Sequence, residues 1–160
     1  PIVCPQIRGV GLEGPFAELF AERLSQVTLP VTATEILRWR ILMLSEMYER
    51  AALVTPDNST DTLFLAALAQ GDPGRAVSPS PRADAIAQGF EWSAPVPSDI
   101  DALLANGQLG EAILEAVQMF AHGARGNLVD LTGAIATFRK VGLEDTARRA
   151  ALTLLILQER

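Results

Sequence analysis

The sequence is poor in the residues that most often carry covalent or metal chemistry. Its 160 residues include one cysteine, Cys4, and one histidine, His122. A lone cysteine forms no internal disulfide, so a disulfide-rich secreted scaffold is excluded, while the cytosol and the bacterial periplasm or cell envelope both remain open. Structural zinc sites draw on several Cys and His ligands. We therefore predict neither a metal site nor a cofactor.

Positive charge and long apolar runs are scarce as well. The net charge is −6 at pH 7, Lys140 is the only lysine, and no block of Lys or Arg occurs. Nucleic acids and anionic membrane surfaces bind clustered positive charge, so we expect neither as a partner. The longest apolar run, 150–157, is far shorter than the roughly 20 residues that cross a bilayer. The sequence therefore predicts no transmembrane span.

Alanine and leucine supply most of the apolar content, which is 49% of the chain. That content is enough for a core, and this mixture favours helix over strand. We predict an all-α protein of roughly seven or eight helices arranged as antiparallel hairpins. The composition is rich in Ala, Leu and Arg and poor in Lys, and the chain starts at Pro1 rather than Met. We expect the chain to be a processed protein or a piece of a longer one, and we favour part of a larger bacterial protein.

The N-terminal half is predicted to be a helical bundle behind a short irregular segment. Residues 1–14 are rich in Pro and Gly, and 15–90 carry the helical patterns of the bundle. The longest helix is predicted over 31–53. Thr32 is its expected N-cap, and Glu35, three residues later, completes a capping box.

Apolar residues at helical spacing predict the buried faces of the first two helices. Pro15 suits the first position of the first helix. Its predicted face is Phe16, Leu19, Phe20, Leu24 and Val27. The predicted face of the long helix is Leu37, Ile41, Leu44, Tyr48 and Ala52. On the opposite, wet side, Glu46 and Arg50 have the i,i+4 spacing of an ion pair.

Clear capping signals mark the later helices. The predicted N-caps are one of Asp57, Ser59 and Thr60, then Ser80, Ser98 and Asn127. Gly142 is the predicted stop before a final helix that runs to about Gln158. The Pro-rich stretch 91–97 is the predicted connector to a C-terminal unit over 98–160. We expect this unit to pack with the bundle as one compact body.

Two stretches of the C-terminal unit are alike. ANGQLGEAILEAVQMF and KVGLEDTARRAALTLL each have a Gly stop, then Leu, an acidic residue, Ala and an apolar face, and Leu109 and Leu143 are 34 positions apart. This period, and the small Ala112 within GQLGEAI, resemble tetratricopeptide-like helical-hairpin repeats. The resemblance implies a short solenoid-like stack over 98–160, capped by the N-terminal bundle. It also implies a protein-binding scaffold without chemistry of its own.

The last helix has almost no polar face. In AALTLLILQER, only Thr153 is polar between Ala150 and Leu157. A helix that is apolar all round must be enclosed. We expect the N-terminal bundle to cover it within a monomer, although a homodimer through this helix or a following domain would cover it too. Arg148 and Arg149 mark the one strip that is predicted to stay in water.

Five side chains are candidate interaction residues: Arg38, Trp39, Trp92, His122 and Arg125. Trp together with Arg is typical of interface hot spots, and Trp92 lies in the connector. Burial beneath a neighbouring helix is the other reading for both tryptophans. His122 also suits the C-terminal end of a helix, where a cation meets the negative end of the helix dipole. Arg125, between two glycines, is placed to present a cation to an anion.

No catalytic motif stands out from the sequence, so we do not expect an enzyme. The pattern favours a non-catalytic protein–protein interaction or scaffolding module, whose partner is another protein or a further domain of the same chain. The alternative is a helical bundle that binds a small ligand or lipid in an apolar cavity. An enclosed apolar pocket of several hundred Å³ would favour the ligand binder. A solid core with an exposed apolar patch would favour the interaction module.

Overall fold

The computed structural model describes residues 12–27, 29 and 31–158. In these ranges the chain forms nine α-helices and a 3₁₀ turn, Pro73–Arg75, and no β-strand. The helices are α1 (Glu13–Ser25), α2 (Thr32–Met43), α3 (Tyr48–Ala51), α4 (Thr60–Ala69), α5 (Pro81–Phe90), α6 (Ser98–Ala105), α7 (Leu109–Ala124), α8 (Leu128–Lys140) and α9 (Glu144–Gln158). The all-α prediction is confirmed. Of the segment predicted to be irregular, 1–11 lies outside the described residues, and Glu13 and Gly14 already belong to α1.

Helix α8 is the centre of the C-terminal half. It packs against α7 and α5, and α9 packs on both α8 and α4. Glycines make two of these crossings close. A Cβ added at Gly123 would lie 2.6 Å from the Leu131 Cβ, and one added at Gly89 would lie 2.8 Å from the Ile135 Cβ. Both distances are shorter than real carbon contacts, so the crossings depend on residues without a side chain.

The predicted connector 91–97 joins α5 to α6, although the helices on its two sides are in contact. Helix α5, before the connector, packs on α8, and α4 packs on α9. Elements of the predicted bundle and of the predicted C-terminal unit therefore share one core. The division of the chain at the connector stays a prediction.

Most of the predicted caps are confirmed. The side chains of Ser59, Ser80 and Asn127 each accept a hydrogen bond from the backbone N–H three residues later, at 3.2 to 3.3 Å. Gly142 follows α8 with a φ of 82°, in the left-handed region that favours glycine after a helix. The prediction for Ser98 is wrong, because Ser98 is itself the first helical residue of α6 and no side chain caps that helix.

The single helix predicted over 31–53 is broken between α2 and α3. Ser45 lies buried in the break. Its hydroxyl donates to the Leu42 carbonyl at 2.7 Å, and its oxygen accepts from the Met47 N–H at 3.2 Å. A serine that bonds to nearby backbone competes with the helical pattern. The chain therefore turns here and starts a new short helix.

The capping box predicted at the start of α2 is also wrong. Thr32 is already helical, and no side chain caps the helix. The Glu35 carboxylate instead accepts hydrogen bonds from the Arg38 guanidinium, which also donates to the Leu24 carbonyl at 2.9 Å. The hydrogen bond from Arg38 lowers the pKa of Glu35, and the same bond raises the pKa of Arg38. This ion pair joins α2 to the end of α1.

Small residues, rather than the large ones, fill the contact face of α1. The buried side chains are Ala17 and Ala21, whereas Leu19 is 75% exposed. On α2 the buried face includes Trp39. The members of the two predicted faces that are instead exposed are Leu19, Val27 and Leu37. Helices α1 and α2 pack on each other, and alanine allows their backbones to approach closely.

The closing helix α9 is enclosed by earlier helices of the same chain, as predicted. Its buried side chains are Ala147, Ala151, Leu152, Leu154 and Leu155. The cover comes from α4 and α8, on which α9 packs. Thr153 and Leu157 remain exposed on the outer side. An apolar helix at the end of an acidic chain is thus explained by burial within one copy of the protein.

Arg148 and Arg149 do not form the wet strip predicted for them. The Arg148 guanidinium donates to the Glu49 carboxylate at 2.7 Å and is largely covered. Arg149 lies 3.2 Å from the Glu18 carboxylate and 2.5 Å from that of Glu46. These ion pairs connect α9 to α1, to α3 and to the turn between α2 and α3. Polar bridges therefore supplement the apolar cover of the last helix.

Tyr48 strengthens the same contact from α3. Its hydroxyl donates to the Asp145 carboxylate on α9 at 2.5 Å, and the Arg148 guanidinium lies over its ring, 5.6 Å from the centroid. Burial of the phenol, followed by its hydrogen bond to Asp145, raises its pKa above the ordinary value of about 10. The folded protein thus favours the neutral phenol.

We expect an alkaline loss of stability that depends on Tyr48. Because its pKa is raised by folding, its contribution to the free energy of unfolding is complete below about pH 10 and is lost as the pH rises toward the folded-state value. Tyr48 is the only tyrosine, so tyrosinate absorbance should appear together with loss of helical circular dichroism. The Y48F variant should have a free energy of unfolding lower by about 1 kcal/mol at neutral pH, and its stability should fall less as the pH becomes alkaline. A phenol that ionises while the helices remain folded would contradict this.

Candidate functional site

The two N-terminal candidates, Arg38 and Trp39, are held inside the structure. Trp39 is buried, and its indole N–H donates to the Ala51 carbonyl at 2.9 Å. Arg38 is bound to Glu35 and is mostly covered. For Trp39 the structure therefore shows burial, the reading that the sequence favours for this residue. A role of either side chain in binding stays a prediction.

Trp92 is fully exposed just beyond the end of α5. The backbone before it is fixed by Arg139, whose guanidinium donates to the carbonyls of Phe90 and Glu91. The Arg139 guanidinium also lies over the Phe90 ring, 5.2 Å from its centroid. The structure thus places an uncovered indole on an anchored turn. Its role in binding stays a prediction.

His122 and Arg125 lie at the C-terminal end of α7. The His122 Nδ1 is 3.4 Å from the Asp130 carboxylate, and Arg125 is exposed. Among the residues that the structure describes, no hydrogen bond or ion pair connects this end of α7 with Trp92 or with Trp39. In the described residues the five candidates therefore fall into three groups that no hydrogen bond or ion pair connects.

Helix α4 has an outward face that lines an open groove of about 490 Å³. Leu63, Ala66, Ala67 and Gln70 lie at the spacing of one helical face and form its floor. One wall includes Ala52 and Thr55, and the other is Ala76 and Val77, which follow the 3₁₀ turn. We call this feature the α4 groove.

Exposed apolar side chains surround the α4 groove. Leu63 is 44% exposed and Val77 is 77% exposed. Leu53 and Val54, which lie between the wall residues Ala52 and Thr55 in sequence, are exposed as well, although they do not line this groove. The floor between them is recessed because two of its members are alanines. The groove therefore has exposed apolar side chains at its floor and at one wall.

The α4 groove has one charged lining residue, Arg75. Its guanidinium donates to the Gln70 side-chain oxygen, and the Gln70 amide donates to the Ala52 carbonyl at 3.2 Å. No carboxylate is among the lining residues. The groove is therefore apolar along its floor and positive at one end, in a protein whose net charge is −6.

A second groove, of about 380 Å³, lies between α2 and α3. Thr55 borders both grooves, so the segment after α3 separates them. We call this one the α2–α3 groove. Its walls include Trp39 and the paired side chains Glu35 and Arg38. Two of the residues singled out in the sequence thus line it, although their polar atoms are already bonded.

No known sequence motif predicts the α4 groove, but the apolar composition of α4 indicates that this helix needs cover on every side. TDTLFLAALA is apolar almost all round, and all of 64–69 is buried. A helix of this kind requires cover on every side. The core covers the face that carries Phe64, Leu65 and Leu68, while the face that carries Leu63 is only partly covered. The remaining apolar surface is what makes the groove.

The structure gives no sign of a metal centre in the parts of the chain that it describes. Within those ranges, no three His, Cys, Asp or Glu side chains come together in a way that could hold a metal ion. No helix there has both the length and the apolar character needed to cross a membrane.

Comparison of the chain with models of known families, with curated proteins and with solved structures finds no match. The resemblance of 98–160 to tetratricopeptide-like repeats therefore stays a prediction, and the function is argued from the geometry alone.

Proposed function

We propose that the chain is a non-catalytic protein–protein interaction module that docks an apolar helical segment of another protein in the α4 groove. One observation carries the proposal: the α4 groove is open, and two apolar side chains that line it, Leu63 and Val77, are exposed. Contiguous exposed apolar surface is typical of binding sites and is costly to leave in water.

The shape of the groove supports a helix as the docked element. Ala66 and Ala67 in the floor leave room for large side chains of the partner, while Leu63 and Val77 project beside them. An amphipathic helix fills such a groove with residues at i, i+3, i+4 and i+7. The partner segment is thus expected to carry leucine-like or aromatic residues at that spacing.

The charge of the groove supports an acidic residue at one end of the partner helix. Arg75 has its side-chain bond to a neutral amide, that of Gln70, rather than to a carboxylate. A partner carboxylate at that end would gain a charge-assisted hydrogen bond. The lining offers no histidine, cysteine or carboxylate for acid–base or nucleophilic work, which supports docking rather than catalysis.

The packing of the interior favours the interaction module over a bundle with an internal cavity. The core shared by α4, α5, α8 and α9 contains large side chains with almost no exposure, among them Phe64, Ile86 and Leu152. The α4 groove and the α2–α3 groove are both open to solvent, so neither encloses a ligand. The two grooves that could bind an apolar group therefore lie on the surface of the protein.

A photo-crosslinking amino acid at position 63 tests the proposal in cells of the natural host. We expect a discrete covalent adduct with another protein from position 63 and none from position 129. Val129 is the matched control because it is an exposed apolar residue on a different helix, α8. Adding R75E should reduce the adduct, since it reverses the charge at the end of the groove. No adduct at position 63, or the same adducts from both positions, would refute the proposal.

A further inference from the structure

We infer that the α2–α3 groove binds one molecule of a small amphiphilic carboxylate, such as a medium-chain fatty acid, with its head group at Arg50 and its chain along the apolar wall. This site is separate from the α4 groove and does not depend on the docking role proposed for it. The inference rests on the apolar lining, on a cation that has no ion pair among the described residues, and on the cancellation of the other charges in the groove.

The lining of the α2–α3 groove suits a hydrocarbon chain. Leu42, Met47, Val54 and Pro56 contribute apolar surface from separate segments, and the Trp39 ring lies among them. Because the Trp39 N–H is already bonded to the Ala51 carbonyl, the nearly buried indole presents no free hydrogen-bond donor to the groove. The volume of about 380 Å³ is near the lower end of small-ligand sites, which suits a single short chain.

Arg50 supplies the positive charge of this groove. The sequence predicts that Arg50 pairs with Glu46, and the structure shows that this is wrong, because Glu46 pairs with Arg149. Arg50 is exposed and lines the groove, and its side chain makes no hydrogen bond or ion pair with the part of the chain that the structure describes. Its guanidinium therefore has its full set of donors available for a carboxylate.

The other charges in the groove cancel. Glu35 and Arg38 form an ion pair within it, and that hydrogen bond lowers the pKa of Glu35, so the pair is fully charged and neutral as a unit at physiological pH. The lining therefore has a net charge of one positive unit, from Arg50. An anionic head group is complementary to it, and a cationic head group is repelled.

A free amphiphile fits these observations better than a membrane surface does. Membrane binding through electrostatics needs several clustered cations, and this protein has a net charge of −6 with one unpaired arginine at the groove. The groove is also lined by walls from several segments rather than being a flat apolar face. One hydrocarbon chain can lie between these walls, whereas a bilayer cannot enter.

Equilibrium binding of decanoate to the full chain, at concentrations below those that form micelles, tests the inference. In the W92F variant Trp39 is the only tryptophan, so its fluorescence reports on the groove directly. We expect a saturable change with one site per chain, and the same stoichiometry by calorimetry. R50Q should weaken decanoate binding at least about fivefold. Decanol, which lacks the carboxylate, should bind to the protein with Arg50 intact more weakly than decanoate by a similar factor.

R75Q is the matched control, because it removes one arginine from the neighbouring α4 groove and should leave decanoate binding unchanged. V54D, at an exposed position of the wall, should abolish binding while circular dichroism stays the same. The inference is overturned by an absence of saturable binding, by equal losses in R50Q and R75Q, by decanol binding as tightly as decanoate, or by binding only to vesicles that contain phosphatidylglycerol.

Discussion

Replacing Gly123 by alanine should lower the free energy of unfolding by about 2 kcal/mol. The added Cβ would lie 2.6 Å from the Leu131 Cβ and 2.8 Å from the Leu131 Cα. The second of these atoms belongs to the backbone of α8, so no side-chain rotation relieves the overlap, and α7 and α8 must move apart. The loss outweighs the gain in helix propensity, which is at most about 1 kcal/mol for glycine to alanine. Urea denaturation followed by circular dichroism measures the difference.

Gly110 provides the control in the same helix. A Cβ at Gly110 has open space around it, with nothing within 4 Å. G110A should therefore leave stability unchanged or raise it by up to about 1 kcal/mol. If G123A were as stable as G110A, the close crossing of α7 and α8 would be wrong.

Replacing Leu152 by alanine should lower the free energy of unfolding by about 3 kcal/mol. Leu152 has no exposed surface and belongs to the central apolar cluster to which α4, α5 and α8 contribute. Truncation leaves a cavity that these packed helices can close only in part, and the lost contacts add to the lost transfer energy of the side chain. The midpoint of urea unfolding should fall with little change in slope, as expected for a loss of packing in a two-state domain.

Leu157 is the matched control, since it is the same residue type on the same helix and is 40% exposed. L157A should cost less than about 1 kcal/mol, because much of the side chain is in water before the change. Equal losses for L152A and L157A would mean that α9 is not enclosed as described. A dependence of either loss on protein concentration would indicate that a second copy, rather than α4 and α8, provides the cover.

Local chemistry made several helix ends predictable from the sequence. Ser80 followed by proline, Asn127, and Gly142 each act within a few residues, and each has the role that its type favours. The burial of α9 was also predictable, because a segment with one polar residue in eight has no alternative as a soluble helix. These features depend on neighbours in sequence or on composition, which a single sequence displays.

Features that depend on distant partners were not predictable. The pairing of Tyr48 with Asp145 joins residues 97 positions apart, and the ion pairs of Arg148 and Arg149 draw on partners from several helices. The sequence allows Ser45 to lie within a helix or to interrupt one. The structure shows it buried and bonded to the Leu42 carbonyl at the interruption. Local spacing contains none of this information.

The faces of the helices were misjudged for a different reason. Periodicity gives weight to large apolar residues, such as Leu19, whereas close crossings select small ones, such as Ala17 and Ala21. The same bias concealed the α4 groove, whose floor contains two alanines, Ala66 and Ala67. The exposed Trp92 was predictable as a candidate because its connector is rich in proline, although its full exposure follows from the anchoring of the turn by Arg139.

The most direct test of the central claim is carbene footprinting of the chain, read by mass spectrometry on a sample that light scattering shows to be monomeric. The claim is that the chain covers α9 by itself and leaves the apolar surface of the α4 groove open. We predict strong labelling at Leu63 and Val77, and little at Leu152, Leu154 and Leu155. Strong labelling of these three leucines of α9, together with protection of Leu63 and Val77, would contradict the claim.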